Sequence, residues 1–118
     1  MRIIVKSRDK SMPISPAIRE HIMRRLRFSL APVGSRRPRV EVWVGDDNGP
    51  RGGNDKFCSI RAEVDGHSSV FVREQRSDLY IAIARATARI GRALLRSVRM
   101  RERLRGDRTL FQIPDPAL

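Results

Sequence analysis

The chain contains a single cysteine, Cys58, so neither an intrachain disulfide nor a cysteine-built metal centre is open to it. No apolar run approaches the roughly eighteen residues that a membrane-spanning helix needs. The first residues, MRIIVKSRDK, lack the continuous apolar segment and small-residue cleavage site of a secretory signal. A cytoplasmic protein is therefore expected. Acidic residues are scarce, 13 against 25 basic ones, for a formal charge of +12. Lysine is scarce as well, because 22 of those 25 are arginine. An excess of this size calls for a polyanionic or acidic partner. Paired carboxylates, a glycine-rich phosphate loop and a metal-ligand cluster are all missing, so no enzyme, no cofactor and no small-molecule substrate is expected. His21 and His67 are isolated in the sequence and read as surface residues rather than a catalytic pair.

What is abundant is concentrated between Ser77 and Arg105, SDLYIAIARATARIGRALLRSVRMRERLR. Ser77 is a suitable N-cap, Asp78 places negative charge in the first turn, and Gly106 marks an end. Leu79, Ile83, Ala86, Thr87, Ile90, Leu94 and Val98 recur at steps of three and four and share one face. Arg85, Arg89, Arg92, Arg96, Arg99 and Arg103 form a second stripe, nearly opposite the first. The span holds eight arginines and only two acids, Asp78 and Glu102. A merely solvated helix face mixes its signs to gain i,i+4 pairs. This one does not, which favours a nucleic-acid surface. A peripheral membrane helix is disfavoured because the apolar stripe has the extent of a sheet-packing face.

Upstream of this helix the pattern alternates between strands and breaks. Arg2 to Ser7 predicts a strand with Ile3 and Val5 on one face. Ser15-Pro16 predicts a helix start, with Ile18, Ile22, Leu26 and Leu30 as its buried stripe and Arg19, Arg24, Arg25 and Arg27 around the outside. Pro32, Gly34 and Pro38 interrupt the chain. Arg39 to Gly45 alternates Val40, Val42 and Val44 against Glu41 and Trp43, the pattern of a half-buried strand. Gly45 to Asp55 reads as a surface loop; Asp46, Asp47 and Asn48 lack the spacing and closing glutamate of a calcium loop. Lys56 to Val64 is a strand with Cys58, Ile60, Ala62 and Val64 inward, Asp65-Gly66 a hairpin turn, and Ser68 to Gln75 the return strand with its register open. Residues 106–118 form a short tail.

The order β-α-β-β-β-α predicts an α+β domain over residues 1–105. The first helix is a right-handed crossover between parallel neighbours, the last three strands are an antiparallel meander, and both helices pack on one face of a four-stranded mixed sheet. The second half of the long helix must overhang the sheet, since its roughly 42 Å exceeds a strand of about 20 Å.

Three segments carry a family resemblance: SPAIREHI after the first strand, IRAEVDG, and REQRSDLYIAIARATARIGRAL. Within the last, Asp78, Leu79, Tyr80, Ala82 and Ile83 fit the pattern D-[LM]-Y-x-A-I. The chain thus resembles the ribosome hibernation-promoting factors, the family that includes the ribosome-associated inhibitor protein Y. The resemblance implies the fold just described. It further implies that the partner is the small ribosomal subunit with its rRNA, that the tRNA and mRNA channel is occupied, and that idle ribosomes are silenced in stress. By position the RNA-binding residues would be Arg85, Arg89, Arg92, Arg96 and Arg99, with Arg19 and Arg24 or Arg25; Arg103 extends the same stripe. Long members carry a second domain that pairs ribosomes, and no such dimerisation domain is expected in this chain. The arginine-only stripe departs from the family's lysine-arginine mixture, without loss of phosphate-binding capacity. Two other readings compete. A double-stranded-RNA-binding module would begin with a helix, whereas this chain begins with a strand. A regulator binding an acidic protein would ignore bare RNA.

Overall fold

The structure, a computed structural model, describes residues 1–9, 13–47, 55–65 and 69–112, with side chains as far as residue 104. The Asp65-Gly66 turn beyond Asp65, His67, most of the 45–55 loop and residues 113–118 lie outside the described residues. Strand β1 runs Arg2–Ser7, helix α1 Pro16–Ser29, β2 Arg39–Asp46, β3 Lys56–Glu63, β4 Val70–Arg76 and helix α2 Leu79–Gln112. The sheet order is β1-β2-β3-β4, with β1 and β2 parallel and the other pairs antiparallel. The α+β architecture expected from the sequence is the one found.

Register explains the core. Ile3, Val40, Ala62 and Val70 lie in one row across the sheet, and Val5, Val42, Ile60 and Val72 in the next. Because side chains alternate along a strand, both rows face the helices. The register of β4 left open by the sequence is thereby settled: Val72 is buried while Phe71, on the other face, is 64% exposed. On α2, Leu79, Ile83, Ala86, Thr87, Ile90, Leu94 and Val98 are all buried, and α1 with its C-cap adds Ile22, Leu26 and Leu30. Ile18 is half-buried at the margin of this cluster. Cys58 is fully buried, and desolvation pushes its thiol up to about 12, so it packs as a small apolar residue.

The helix ends show what propensity resolves and what it does not. Ser15 caps α1 as expected, its Oγ accepting from the Ile18 amide at 3.1 Å. The cap of α2 is Asp78 rather than Ser77: Asp78 Oδ1 accepts from the Tyr80 amide at 2.8 Å, and the Asp78 carbonyl takes the first helical bond, from Ala82. Both residue types cap well, so composition alone leaves the boundary one residue uncertain. Nor does Gly106 end α2, which continues to Gln112. An interior glycine costs only about 1 kcal/mol relative to alanine, and the next proline is Pro114. The stretch broken by Pro32 and Gly34 is a 3-10 helix, Ala31–Arg36, which buries Val33.

One close approach sets the angle of the helix layer. A Cβ on Gly91 would lie 2.6 Å from the Ser29 carbonyl oxygen, so α1 crosses α2 where α2 has no side chain. Gly91→Ala pits a helix-propensity gain of about 1 kcal/mol against overpacking on backbone, typically about 1–3 kcal/mol. The steric term is the larger, and urea melts should show net destabilisation. Ile90→Ala, one residue away in the core, should cost about 2–5 kcal/mol in the same assay.

Candidate nucleic-acid interface

An α-helix whose apolar stripe faces a sheet must turn the opposite stripe to solvent. Arg85, Arg89, Arg92, Arg96, Arg99 and Arg103 are accordingly exposed. They recur within a narrow sector of the helix and extend over roughly 27 Å along its axis. Among the α2 residues with described side chains the last buried one is Val98, and 99–104 are all exposed, so the final part of the described stripe stands on the overhang.

The stripe is not electrostatically uniform. Arg89 is tied down: its Nη1 lies 3.2 Å from Glu74 Oε2 and donates to the Arg73 carbonyl at 3.1 Å. Glu74 aligns with Cys58 on the helix-facing side of the sheet, which is why it meets α2. The scarcity of acids within α2 therefore understates its pairing, because one partner arrives from β4. Glu102, within the helix, pairs with Arg36 of the 3-10 helix. Among the described residues Arg85, Arg92, Arg96, Arg99 and Arg103 have no ion-pair partner, and neither do Arg19 and Arg24.

Helix α1 joins this surface in part. Arg24 is exposed, while Arg25 is half-buried and donates from Nε to Thr87 Oγ1 at 3.3 Å. Both line the groove between the helices together with Arg92. Arg19 is exposed nearer the start of α1 and lines neither that groove nor the adjoining depression between His21 and Arg85. Of the nine arginines singled out by sequence, the structure thus gathers eight on one side, with Arg19 more remote.

His21 is a correction. It is half-buried between the helices, its ring edge-on to Tyr80 with centroids 5.0 Å apart. Burial, then the charges of Arg25 and Arg24, hold its pKa below the ordinary 6.5. The i,i+4 heptad logic of α1 does not reveal this, because the contact is made by a residue of α2.

The opposite face of the sheet is arranged differently. Phe57 is buried there beneath the guanidinium groups of Arg8 and Arg73, 4.7 and 4.1 Å from its ring centroid. Asp47 accepts from Arg8 Nη1 at 2.6 Å, Arg73 Nη2 at 3.0 Å and Gln75 Nε2 at 3.1 Å. Arg39 pairs with Glu63 at 3.2 Å and Asp65 at 2.7 Å. The arginines of this network are matched by carboxylates within the chain. Among the described residues no group of three or more potential metal ligands occurs, and no helix is long and apolar enough to cross a membrane.

The fold and this surface define a small α+β domain with a row of exposed guanidinium groups that have no ion-pair partner among the described residues. The sequence matches the family model described as sigma 54 modulation protein / S30EA ribosomal protein over residues 5–102, and the chain belongs to that family of ribosome-associated factors. Two solved structures are similar in fold. One is a ribosomal subunit interface protein from Coxiella burnetii, 17% identical with a TM-score of 0.67, the match covering 81% of this chain and 96% of that one. The other is the N-terminal domain of Protein Y from Thermus thermophilus, 24% identical with a TM-score of 0.59, covering 78% and 90%. Curated protein sequences contain no match to the chain.

The lowered His21 pKa generates a pH dependence. A histidine that folding keeps neutral contributes stability above its unfolded pKa, which is lost as pH falls through the folded value. Thermal melts should therefore show a decline below about pH 6.5 that His21→Phe reduces. An identical acid-side decline in the variant would assign the loss to other groups.

Proposed function

We propose that the protein is a hibernation factor that occupies the tRNA and mRNA channel of the small ribosomal subunit and blocks translation in the cytoplasm of stressed cells. It acts without a catalytic step and without a cofactor. Its rRNA contacts are Arg85, Arg92, Arg96, Arg99 and Arg103 on α2 and Arg24 and Arg25 on α1, with Arg89 and Arg19 as flanking charges. The observation that carries this reading is the row of exposed α2 arginines that lack carboxylate partners among the described residues. Arginine in this setting binds phosphate bidentately and stacks on bases. Family membership, and the subunit-interface description of the Coxiella protein, supply the ribosome as the source of the polyanion. Residues 1–105 are the ribosome-binding domain in this reading, with 106–118 as an appendage to it.

Phosphate pairing has a salt signature. About six contacts imply a loss of affinity on the order of a thousandfold between 50 and 200 mM salt. Arg92→Glu combined with Arg96→Glu should abolish co-sedimentation with small subunits, while stability shifts by no more than about 0.5 kcal/mol. Arg61→Glu, on the open face of the sheet, is the matched control and should retain binding. Equal losses from control and stripe would reduce the effect to net charge. Undisturbed tRNA occupancy at saturating protein would remove the channel from the proposal.

A further inference from the structure

The groove between α1 and α2 contains a residue that charge alone does not explain. Phe28 lies in the last turn of α1 and is 85% exposed. It lines a groove of about 800 Å³ with Arg24 and Arg92, over a floor that includes Ala88, Gly91 and Leu95. We propose that this groove holds an unpaired nucleotide of single-stranded RNA, its base stacked on the Phe28 ring and its flanking phosphates engaged by Arg24 and Arg92. The inference rests on the RNA-binding reading above and assigns it a specific contact.

Three features select this occupant. The volume falls within the range of small-ligand sites, about 300–1,000 Å³. Apart from the arginines the lining is largely apolar, with Ala31, Pro32, Ala88 and Leu95 beside Phe28, which suits the flat face of a base. All charge at the groove is positive: Arg24, Arg25 and Arg92 line it and no carboxylate does. A nucleotide unites an aromatic face with an anionic backbone, and single-stranded RNA is recognised by aromatic stacking together with phosphate contact. Duplex RNA keeps its bases inside the helix and has nothing to place on the ring. An acidic peptide would satisfy the arginines but leave the phenyl face unused.

The test compares two RNA probes of equal charge, a single strand with one central 2-aminopurine and a fully paired hairpin, on the full chain. Binding of the single strand should quench the 2-aminopurine. Phe28→Ala should lose that quench and about tenfold in single-strand affinity, with hairpin affinity and melting temperature unchanged. Phe28→Trp should retain both. A Phe28→Ala variant that binds and quenches like the wild type overturns the stacking site, as does displacement of the single strand by poly-glutamate at equal charge. If stacking fails while Arg92→Glu with Arg96→Glu still abolishes small-subunit binding, the ribosomal reading stands without it. Quenching by a wild-type protein that ignores small subunits leaves the stacking site and removes the ribosomal reading.

Discussion

The burial of one stripe of α2 against the sheet fixes most of what this protein can do. Ile83, Ile90 and Leu94 are fully buried and Leu79 and Val98 nearly so, and each large apolar side chain contributes on the order of 1.5–3 kcal/mol. Rotating the helix by half a turn would expose all of them and drive guanidinium groups into an apolar layer, at a cost no domain of this size could offset. The orientation of the arginine stripe is thus set by the core. A helix longer than its sheet then carries that stripe onward, because apolar burial among the described side chains ends at Val98.

The second constraint is steric. At Gly91 the end of α1 approaches α2 closely enough that a methyl group would meet the Ser29 backbone. Close crossing brings Arg24 and Arg25 beside Arg92 and leaves an apolar trough between the two helices. Without it, two separate basic helices would remain, with no groove shared between them. Thr87 links the same region from within: its hydroxyl donates to the Ile83 carbonyl at 2.8 Å and accepts from Arg25. A polar residue in the buried stripe therefore positions one of the groove's cations.

Much of this was legible in the sequence because it is written in periodicity. The alternation of Val40, Val42 and Val44 and the three-and-four spacing from Leu79 to Val98 are local signals, and strand order follows from connection rules. Features made by distant segments were not legible. Glu74 meets Arg89 only after β4 is placed under α2, and Phe57 is buried on the open face only because Arg8 and Arg73 close over it. His21 packs on Tyr80 across a gap of 59 residues. The offset of the α2 cap from Ser77 to Asp78 and the passage of the helix through Gly106 have another cause: neighbouring residues with similar propensities differ by less energy than tertiary context supplies.

Charge matching separates scaffold arginines from the rest. Arg8, Arg39 and Arg73 meet carboxylates on the sheet side, and Arg89 and Arg36 meet Glu74 and Glu102 at the edges of α2. From Arg92 to Arg103 the stripe arginines without a partner among the described residues are three and four residues apart, about 5–6 Å between neighbours. That is inside the screening length of roughly 8 Å at physiological salt, so their mutual repulsion is felt in the free protein. It weighs most over residues 99–104, all of which are exposed. A polyanion laid along the stripe removes the repulsion and gains the phosphate contacts together. By linkage, a polyanion that binds this face must also stabilise the helix that presents it, so the charge that weakens α2 alone would couple its order to such a partner.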